Sequence, residues 1–405
     1  MQFIKNLKVN KAFFLVLILL CITGLSFLFR RDFFNMMDNQ YYPLYVINYN
    51  CGYSSRLLVG TVFSLLFKDT LNVDVLSCIM LGVYFLFCFC LSVFINNYLR
   101  KTDFDAIGIY AVFMILSPAF TSLLNYFGIV DIFWFFCVMG ALAVVNKKGW
   151  RWLVPVFCII GLAVHEVFLT TYLPVIAIAV LYQFVKKSCA SSFIFVAVCT
   201  VVVGFASVYF LILGDGTMKM TADEMVSYAQ GRLDEKGKGF NDFYLRSAFF
   251  WDVSKWNGAG NEGYNNNFIG YLQYSFDEYI KNNISQLKSI AFFALSDLLI
   301  SIPFVYLFFK SFCSERNLLK KVIYLFALVP VPLLLFQLFV SSDTERFSMH
   351  WLIVMLFMLL FFVGENAESF RKSYEETKLK IADNKIPLAL FGIAVARIVF
   401  SGVRF

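Results

Sequence analysis

Charge is scarce in this chain. Asp, Glu, Lys and Arg make up 15% of its 405 residues, where a soluble domain carries about 25%. That shortage excludes an ordinary soluble enzyme and a disordered segment alike. Histidine is scarcer still, with two copies, His165 and His350. There is no Cys-x-x-Cys and no Cys/His metal spacing, so a zinc ribbon or a thioredoxin-like redox site is excluded. There is also no Walker loop, no GxGxxG after a strand, no GxSxG and no HExxH, because "HEVFL" lacks the second histidine. Alternating strands of about ten residues, the mark of a membrane β-barrel, are missing too.

What remains is apolar: 60% of residues are hydrophobic, in repeated runs close to the ~20 residues that cross a bilayer as a helix. The expected fold is all-α, a polytopic transmembrane helical bundle of about eleven spans. We place these at 12–29, 74–98, 104–121, 126–145, 152–166, 168–185, 191–213, 289–309, 322–341, 348–364 and 387–403. No small-x-small cleavage site precedes Arg30, so the first run reads as an uncleaved span. Three parts follow: an N-terminal bundle, 1–213, with an interfacial or re-entrant segment at 30–67; an extracytoplasmic loop, 214–288; and C-terminal helices, 289–405. Nearly all of the ten cysteines fall in spans or at their ends, as small core residues.

With the N-terminus in the cytoplasm, the cytoplasmic segments hold 19 of the 34 Lys and Arg residues and the short outer loops hold five. This is the positive-inside pattern. The net charge of +7 is thus topological, and nucleic acid is not an expected partner. The expected location is the bacterial inner membrane.

The polar residues within apolar surroundings collect at the outer ends of the spans. "GLAVHEVFLTTYLP" puts His165 and Glu166 at the tip of a hairpin of two short spans. The turn "LLNYFGIVDIFWF" supplies Asn125 and Asp131. "SSDTERFSMHW" supplies Asp343, Arg346 and His350. Asp297 enters from the same side, and the segment after the first span brings Asp38, Tyr41, Tyr42 and Arg56. Polar groups in a membrane are costly and usually face a functional interior. The expectation is an outward-opening polar cavity suited to an anionic, hydroxyl-rich ligand, with Arg for phosphate and carboxylates for proton transfer. Plainer roles stay open: Arg346 pairing with Asp343 on its own helix, His350 beside Trp351 as an interfacial anchor, and His165-Glu166 as a hairpin cap. In the long loop, Trp251, Trp256, Tyr264, Tyr271 and Tyr274 interleave with Asn and Gly, a composition that suits sugar rings or a packed cap.

The layout of a first span, an outer segment with an acid followed by aromatics ("DNQYY") and many further spans resembles the GT-C class of integral-membrane glycosyltransferases. "CGYSSRLLVG", "HEVFLTTYLP" and "DTERFSMHW" look similar to proteins of bacterial capsule and exopolysaccharide assembly, including polymerases of the Wzy and EpsG kind. The resemblance implies Asp38 as an acceptor-activating base; the placement of the hairpin tip adds Glu166 as second-choice base and His165 as a further catalytic group. The outer-face grouping adds Asp131, Asp343, His350 and Asn125 as substrate-binding candidates, and the resemblance matches Arg56, His165 and Arg346 to lipid-phosphate-binding positions by location. It also implies a polyprenyl-phosphate-linked sugar or oligosaccharide as partner, within the lipid bilayer and beside other polysaccharide-assembly membrane proteins. No cofactor is required; a divalent metal could sit between Asp38 and Glu166, but no ligand spacing demands one. The chain has a single acid at Asp38 rather than an acidic pair, which leaves single-sugar transfer and polymerisation both open. A transporter or flippase of lipid-linked glycans, or a non-catalytic assembly partner, is the alternative.

Overall fold

The computed structural model describes residues 37–99, 106–187, 189–210, 218–250, 284–329, 344–365, 367–382 and 385–402, besides a few isolated positions. The expected first span at 12–29, Asp343 and most of the aromatic stretch of the long loop lie outside the described residues. Within them all regular structure is helical, and the one β contact is a single parallel bridge between Leu71 and Leu233.

The helices are α1 (Leu57–Leu66), α2 (Val73–Leu99), α3 (Ala106–Asn125), α4 (Ile132–Val144), α5 (Val154–Val164), α6 (Leu173–Lys186), α7 (Ala190–Val208), α8 (Ala222–Arg232), α9 (Phe243–Phe250), α10 (Ile284–Ser314), α11 (Leu318–Phe326), α12 (Thr344–Glu365), α13 (Glu368–Ala382) and α14 (Ile386–Gly402). Among the described residues, four helical stretches are long and apolar enough to cross a membrane: Val73–Tyr98, Ala190–Val208, Leu287–Ser314 and Thr344–Glu365.

α12 is the axis of the bundle. All 22 of its residues are buried, as expected of a helix that is apolar around its whole circumference. It packs against α2, α3, α6, α10 and α13. Its polar residues sit at its ends, with Arg346, Ser348 and His350 near the start and Glu365 at the finish.

α5 and α6 form the expected hairpin of short helices, 11 and 14 residues long, or about 16 and 21 Å. Each has a proline in its first turn, Pro155 and Pro174, a position where the missing N–H costs nothing. Pro174 also prevents one helix from running through the junction, because its ring clashes with the preceding turn. The chain instead leaves α5 at His165 in extended backbone (φ −169°, ψ 132°) and makes one helical turn, Phe168–Thr171, before α6.

The segment expected to lie at the interface, 30–67, is buried in its middle. Asp38 caps a 3₁₀ helix, Asn39–Tyr45, by accepting from the Gln40 backbone N–H at 3.2 Å and from Gln40 Nε2 at 2.9 Å. α1 packs so closely on this segment that a Cβ at Gly60 would stand 1.7 Å from the Ile47 carbonyl oxygen. On its other side, Val62, Leu65 and Leu66 are bare. Gly128, in the turn between α3 and α4, has φ +95°, a backbone region that disfavours side chains. It receives the Tyr45 hydroxyl on its carbonyl at 2.7 Å, which fixes the buried segment to the bundle.

The described part of the long loop, 218–250, lies on residues 48–74. Lys219 N–H donates to the Cys51 carbonyl at 2.9 Å, and Asn48 Nδ2 donates to the Tyr228 hydroxyl at 2.9 Å. Arg232 reaches the Phe67 carbonyl, and Lys236 pairs with Asp74 at 2.6 Å. α8 opens with a capping box between Thr221 and Glu224, the spacing visible in the sequence.

Candidate functional site

Six of the polar residues singled out in the sequence meet in one chain of contacts. They come from four separate places: the left-handed residue before α1, the start of α4, the α5–α6 junction, and the first two turns of α12. Each arrives for a local reason. Arg346 and His350 are four residues apart, so they share a face of α12. Asp131 is the residue before α4, and Trp134 in the next turn donates its indole N–H to the Gly161 carbonyl at 3.1 Å. That indole stands between the two imidazoles, with its ring centroid 5.3 Å from each.

The centre is Asp131, which is 0% exposed. Its Oδ2 accepts from Arg346 Nε at 2.7 Å and from His350 Nε2 at 2.9 Å. The far ring nitrogen of His350, Nδ1, is 2.7 Å from the Tyr172 hydroxyl. This makes a buried line Asp131–His350–Tyr172. Asp131 Oδ1 has no hydrogen-bond partner. A buried carboxylate oxygen left unmet is unusual enough to need a physical explanation.

The second half of the network is more open. Glu166 Oε2 accepts from the Ser55 hydroxyl at 2.6 Å and from Arg56 Nε at 3.1 Å, and Oε1 pairs with Arg56 Nη2. The Glu166 side chain is 15% exposed, more than that of any other charged member. His165 links the halves, with Nδ1 3.3 Å from Glu166 Oε2 and Nε2 3.4 Å from Arg346 Nη2. A guanidinium can only donate, so Nε2 faces it as an acceptor, while Nδ1 lies 3.3 Å from Glu166 Oε2 and also receives the Val167 backbone N–H at 3.3 Å. With neutral imidazoles, two arginines then balance two carboxylates.

Arg56 is held in strained backbone. Its φ of 70° and ψ of −9° are left-handed, the one positive φ outside glycine among the described residues. Such a conformation costs an L-residue about 1–2 kcal/mol. It turns the chain so that the Arg56 N–H meets the Ala163 carbonyl at 2.9 Å while the side chain reaches Glu166. Strain of this kind persists only where surrounding contacts over-determine it.

The remaining expected residues sit elsewhere. Asn125 donates to Glu345 Oε1 at 2.9 Å, beside Arg346 in sequence but on a separate bond. Asp38 is exposed, its carboxylate is taken up by Gln40, and no described contact joins it to the network. Asp297 belongs to a second cluster: Arg397 Nε donates to its Oδ1 at 3.3 Å, and Ser348 Oγ bridges Arg397 and Asp297 Oδ2. Arg397 is 0% exposed and lies over the Phe293 ring at 4.1 Å. Sequence reasoning missed Arg397, although a cation inside "LFGIAVARIVF" carries the same signal as Asp131 does in its own run. Ser55 and Tyr172 were missed because a hydroxyl in an apolar run draws no attention until its partner is known.

Among the described residues, no group of three or more His, Cys, Asp or Glu is arranged to hold a metal. The carboxylates of the network face arginines, a serine and imidazoles instead. What the arrangement offers chemically is two guanidiniums, each able to exchange a carboxylate for another oxyanion, and two carboxylates able to take a proton. Compared with known proteins, the chain matches no family model, no curated protein and no solved structure at a significant level.

Proposed function

We propose that this protein is an inner-membrane glycosyltransferase or polysaccharide polymerase. It uses a polyprenyl-(pyro)phosphate-linked sugar on the extracytoplasmic face, in the synthesis of a surface polysaccharide. The observation that carries the reading is the Arg56–Glu166–His165–Arg346–Asp131–His350 network: two cations and two carboxylates from remote parts of an apolar chain, with one buried carboxylate oxygen still unmet. The eleven-span topology, with the N-terminus in the cytoplasm, and an interfacial α1 whose bare Val62, Leu65 and Leu66 face lipid, belong to the same reading.

The chemistry follows from charge exchange. The leaving phosphate of the donor is an oxyanion, and Arg56 is the more open of the two arginine sites because its partner Glu166 is partly exposed. When the phosphate takes Arg56, Glu166 loses its strongest partner and becomes available as a base. The acceptor hydroxyl oxygen then bonds to the anomeric carbon as the bond from that carbon to the phosphate oxygen breaks. The phosphate leaves with the bonding pair, stabilised by Arg56, and the hydroxyl proton passes to Glu166. Asp131, fully buried, holds Arg346 and His350 in place behind the exchange site. His165 conveys the state of one half of the network to the other. The loop residues 218–250 cover the segment that holds Arg56, the position of a lid that keeps water from competing as acceptor.

The test is direct: purified protein in proteoliposomes is supplied with an undecaprenyl-linked sugar donor and a glycan acceptor. Donor consumption with formation of a glycosidic product supports the reading. Movement of intact donor across the bilayer without product would assign the protein to lipid-linked glycan transport.

A further inference from the structure

The other end of the α5–α6 hairpin holds a second polar site, some 16–21 Å of helix away from the network. There, a cavity of about 270 Å³ opens between the α4–α5 turn, the end of α6 and the start of α7. Its lining includes Lys148, Arg151, Gln183, Lys187, Ser191 and Ser192. Three lining residues are cationic, and none of the described ones is acidic. α7 begins at its wall, with Cys189 as the preceding residue, so the positive end of the helix dipole adds to the lysines and arginine. The Cys189 thiol, which also lines the cavity, is held below its usual range by the Ser192 hydroxyl and backbone, with a smaller contribution from Arg151.

Two N–H donors on the lining side chains have no partner. Gln183 is 8% exposed, and its Nε2 makes no hydrogen bond. Arg151 Nε is likewise buried and unmet, although its Nη2 bonds to the Ser191 carbonyl at 2.8 Å. The guanidinium rests on the Phe195 ring at 5.0 Å, so it is held in place rather than free to seek solvent. Unmet donors, uniform positive charge and a pocket between membrane-type helices together describe an acceptor-rich anion's site. The apolar wall is the exposed side of α7, where Phe193, Ile194 and Val201 are bare.

We infer that this cavity binds a phosphodiester, the headgroup of an anionic glycerophospholipid whose acyl chains run along α7. A basic pocket between membrane helices has the chemistry such headgroups need, and the unmet Gln183 and Arg151 donors match the free phosphate oxygens. Inorganic phosphate shares that chemistry but has no use for the bare apolar face beside the pocket. The inference rests on the helices crossing a bilayer and is independent of the transferase reading.

Native mass spectrometry of the detergent-purified full chain tests it, with phosphatidylglycerol, phosphatidylcholine or inorganic phosphate added. The variants are Lys148→Glu with Lys187→Glu, both exposed positions chosen to leave packing intact, and Gln183→Leu, which removes a donor without removing charge. Wild type should retain phosphatidylglycerol in preference to phosphatidylcholine. The lysine pair should lower that retention by about tenfold or more, because two cations beside an anionic headgroup become two anions. Gln183→Leu should lower it less, without changing the folded yield. Equal retention of both lipids by wild type, or unchanged phosphatidylglycerol retention in the lysine pair, overturns the inference. Tight binding of inorganic phosphate that is lost in the lysine pair, with no lipid preference, overturns the lipid source and assigns the pocket to a soluble phosphate.

Discussion

Replacing Arg56 by alanine and by glycine separates its two roles. Both substitutions remove the guanidinium and leave Glu166 in place without its cation. Removing one partner of a buried pair costs about 3–5 kcal/mol, and the Ser55 hydroxyl at 2.6 Å and the 15% side-chain exposure of Glu166 put the loss toward the lower figure. Alanine keeps the left-handed strain at φ 70°, whereas glycine relieves about 1–2 kcal/mol of it. Glycine returns part of that through its freer unfolded chain, about 0.4–1 kcal/mol. Arg56→Gly should therefore be more stable than Arg56→Ala by about 1 kcal/mol, roughly a fivefold difference in the unfolding equilibrium. The assay is reversible unfolding in mixed micelles with increasing SDS, followed by tryptophan fluorescence. A cycle with Glu166→Ala adds the second magnitude: the double variant should be less destabilised than the sum of the singles by about 2 kcal/mol, within the range for directly bonded charges. If Arg56→Ala is as stable as Arg56→Gly, the strain is absent. If the cycle is additive, the pair is not coupled, and the network does not hold the hairpin to α1.

Three further outcomes are expected. Asp297→Asn should reduce the folded yield, since it leaves Arg397 buried against a neutral amide at a cost of about 3–5 kcal/mol, yet leave turnover per folded molecule unchanged; lost turnover in the folded fraction would place this cluster in the site. A cysteine at the exposed Ser227 should react with an impermeant thiol reagent on intact cells, in a background without native thiols, and one at the exposed Arg371 should not; labelling at Arg371 would reverse the orientation. The Glu224 carboxyl is held below its usual range by the Thr221 backbone N–H and hydroxyl. A depressed carboxyl stabilises above its unfolded pKa and loses that contribution as pH falls through the depressed value. Protection of the Thr221 amide, which donates to the Glu224 carboxylate at 2.8 Å, should fall on acidification in wild type and be pH-independent in Glu224→Gln, whose amide oxygen still accepts but does not titrate; equal pH dependence in both would remove the cap from the account.

The polar network was legible in the sequence because its members are expensive. His165, Glu166, Asp131, Arg346 and His350 stand in apolar runs, and a membrane-type chain keeps such residues only with partners. Their convergence followed from counting spans. The pairings were not legible, because they depend on rotation about each helix axis. Arg346 turns to Asp131, and Asp297 turns to Arg397 and Ser348. Asp38 shows the limit of reading residue types: an acid before "NQYYP" serves equally as a base or as a helix cap, and its bonds to Gln40 are those of a cap. The closed character of the site was also hidden. Nothing in "TERFSMHW" says that its helix is the buried axis of the bundle, because apolar residues on all sides suit lipid and protein neighbours alike. The hairpin was the clearest case: two short apolar runs, each with a proline near its start, between two basic clusters.

The central claim is that Glu166 takes the acceptor proton once phosphate draws Arg56 away. The measurement that tests it most directly is turnover of an undecaprenyl-linked sugar donor per mole of folded, monodisperse protein, for wild type and Glu166→Gln, with His165→Ala alongside. Glutamine keeps the shape and the Ser55 contact but accepts no proton, so Glu166→Gln should cut turnover by about 10²-fold or more, the usual size of a lost general base, while donor binding persists. His165→Ala should fall by a similar factor. Wild-type turnover in both folded variants would contradict the account and leave the pair as a cap on the hairpin.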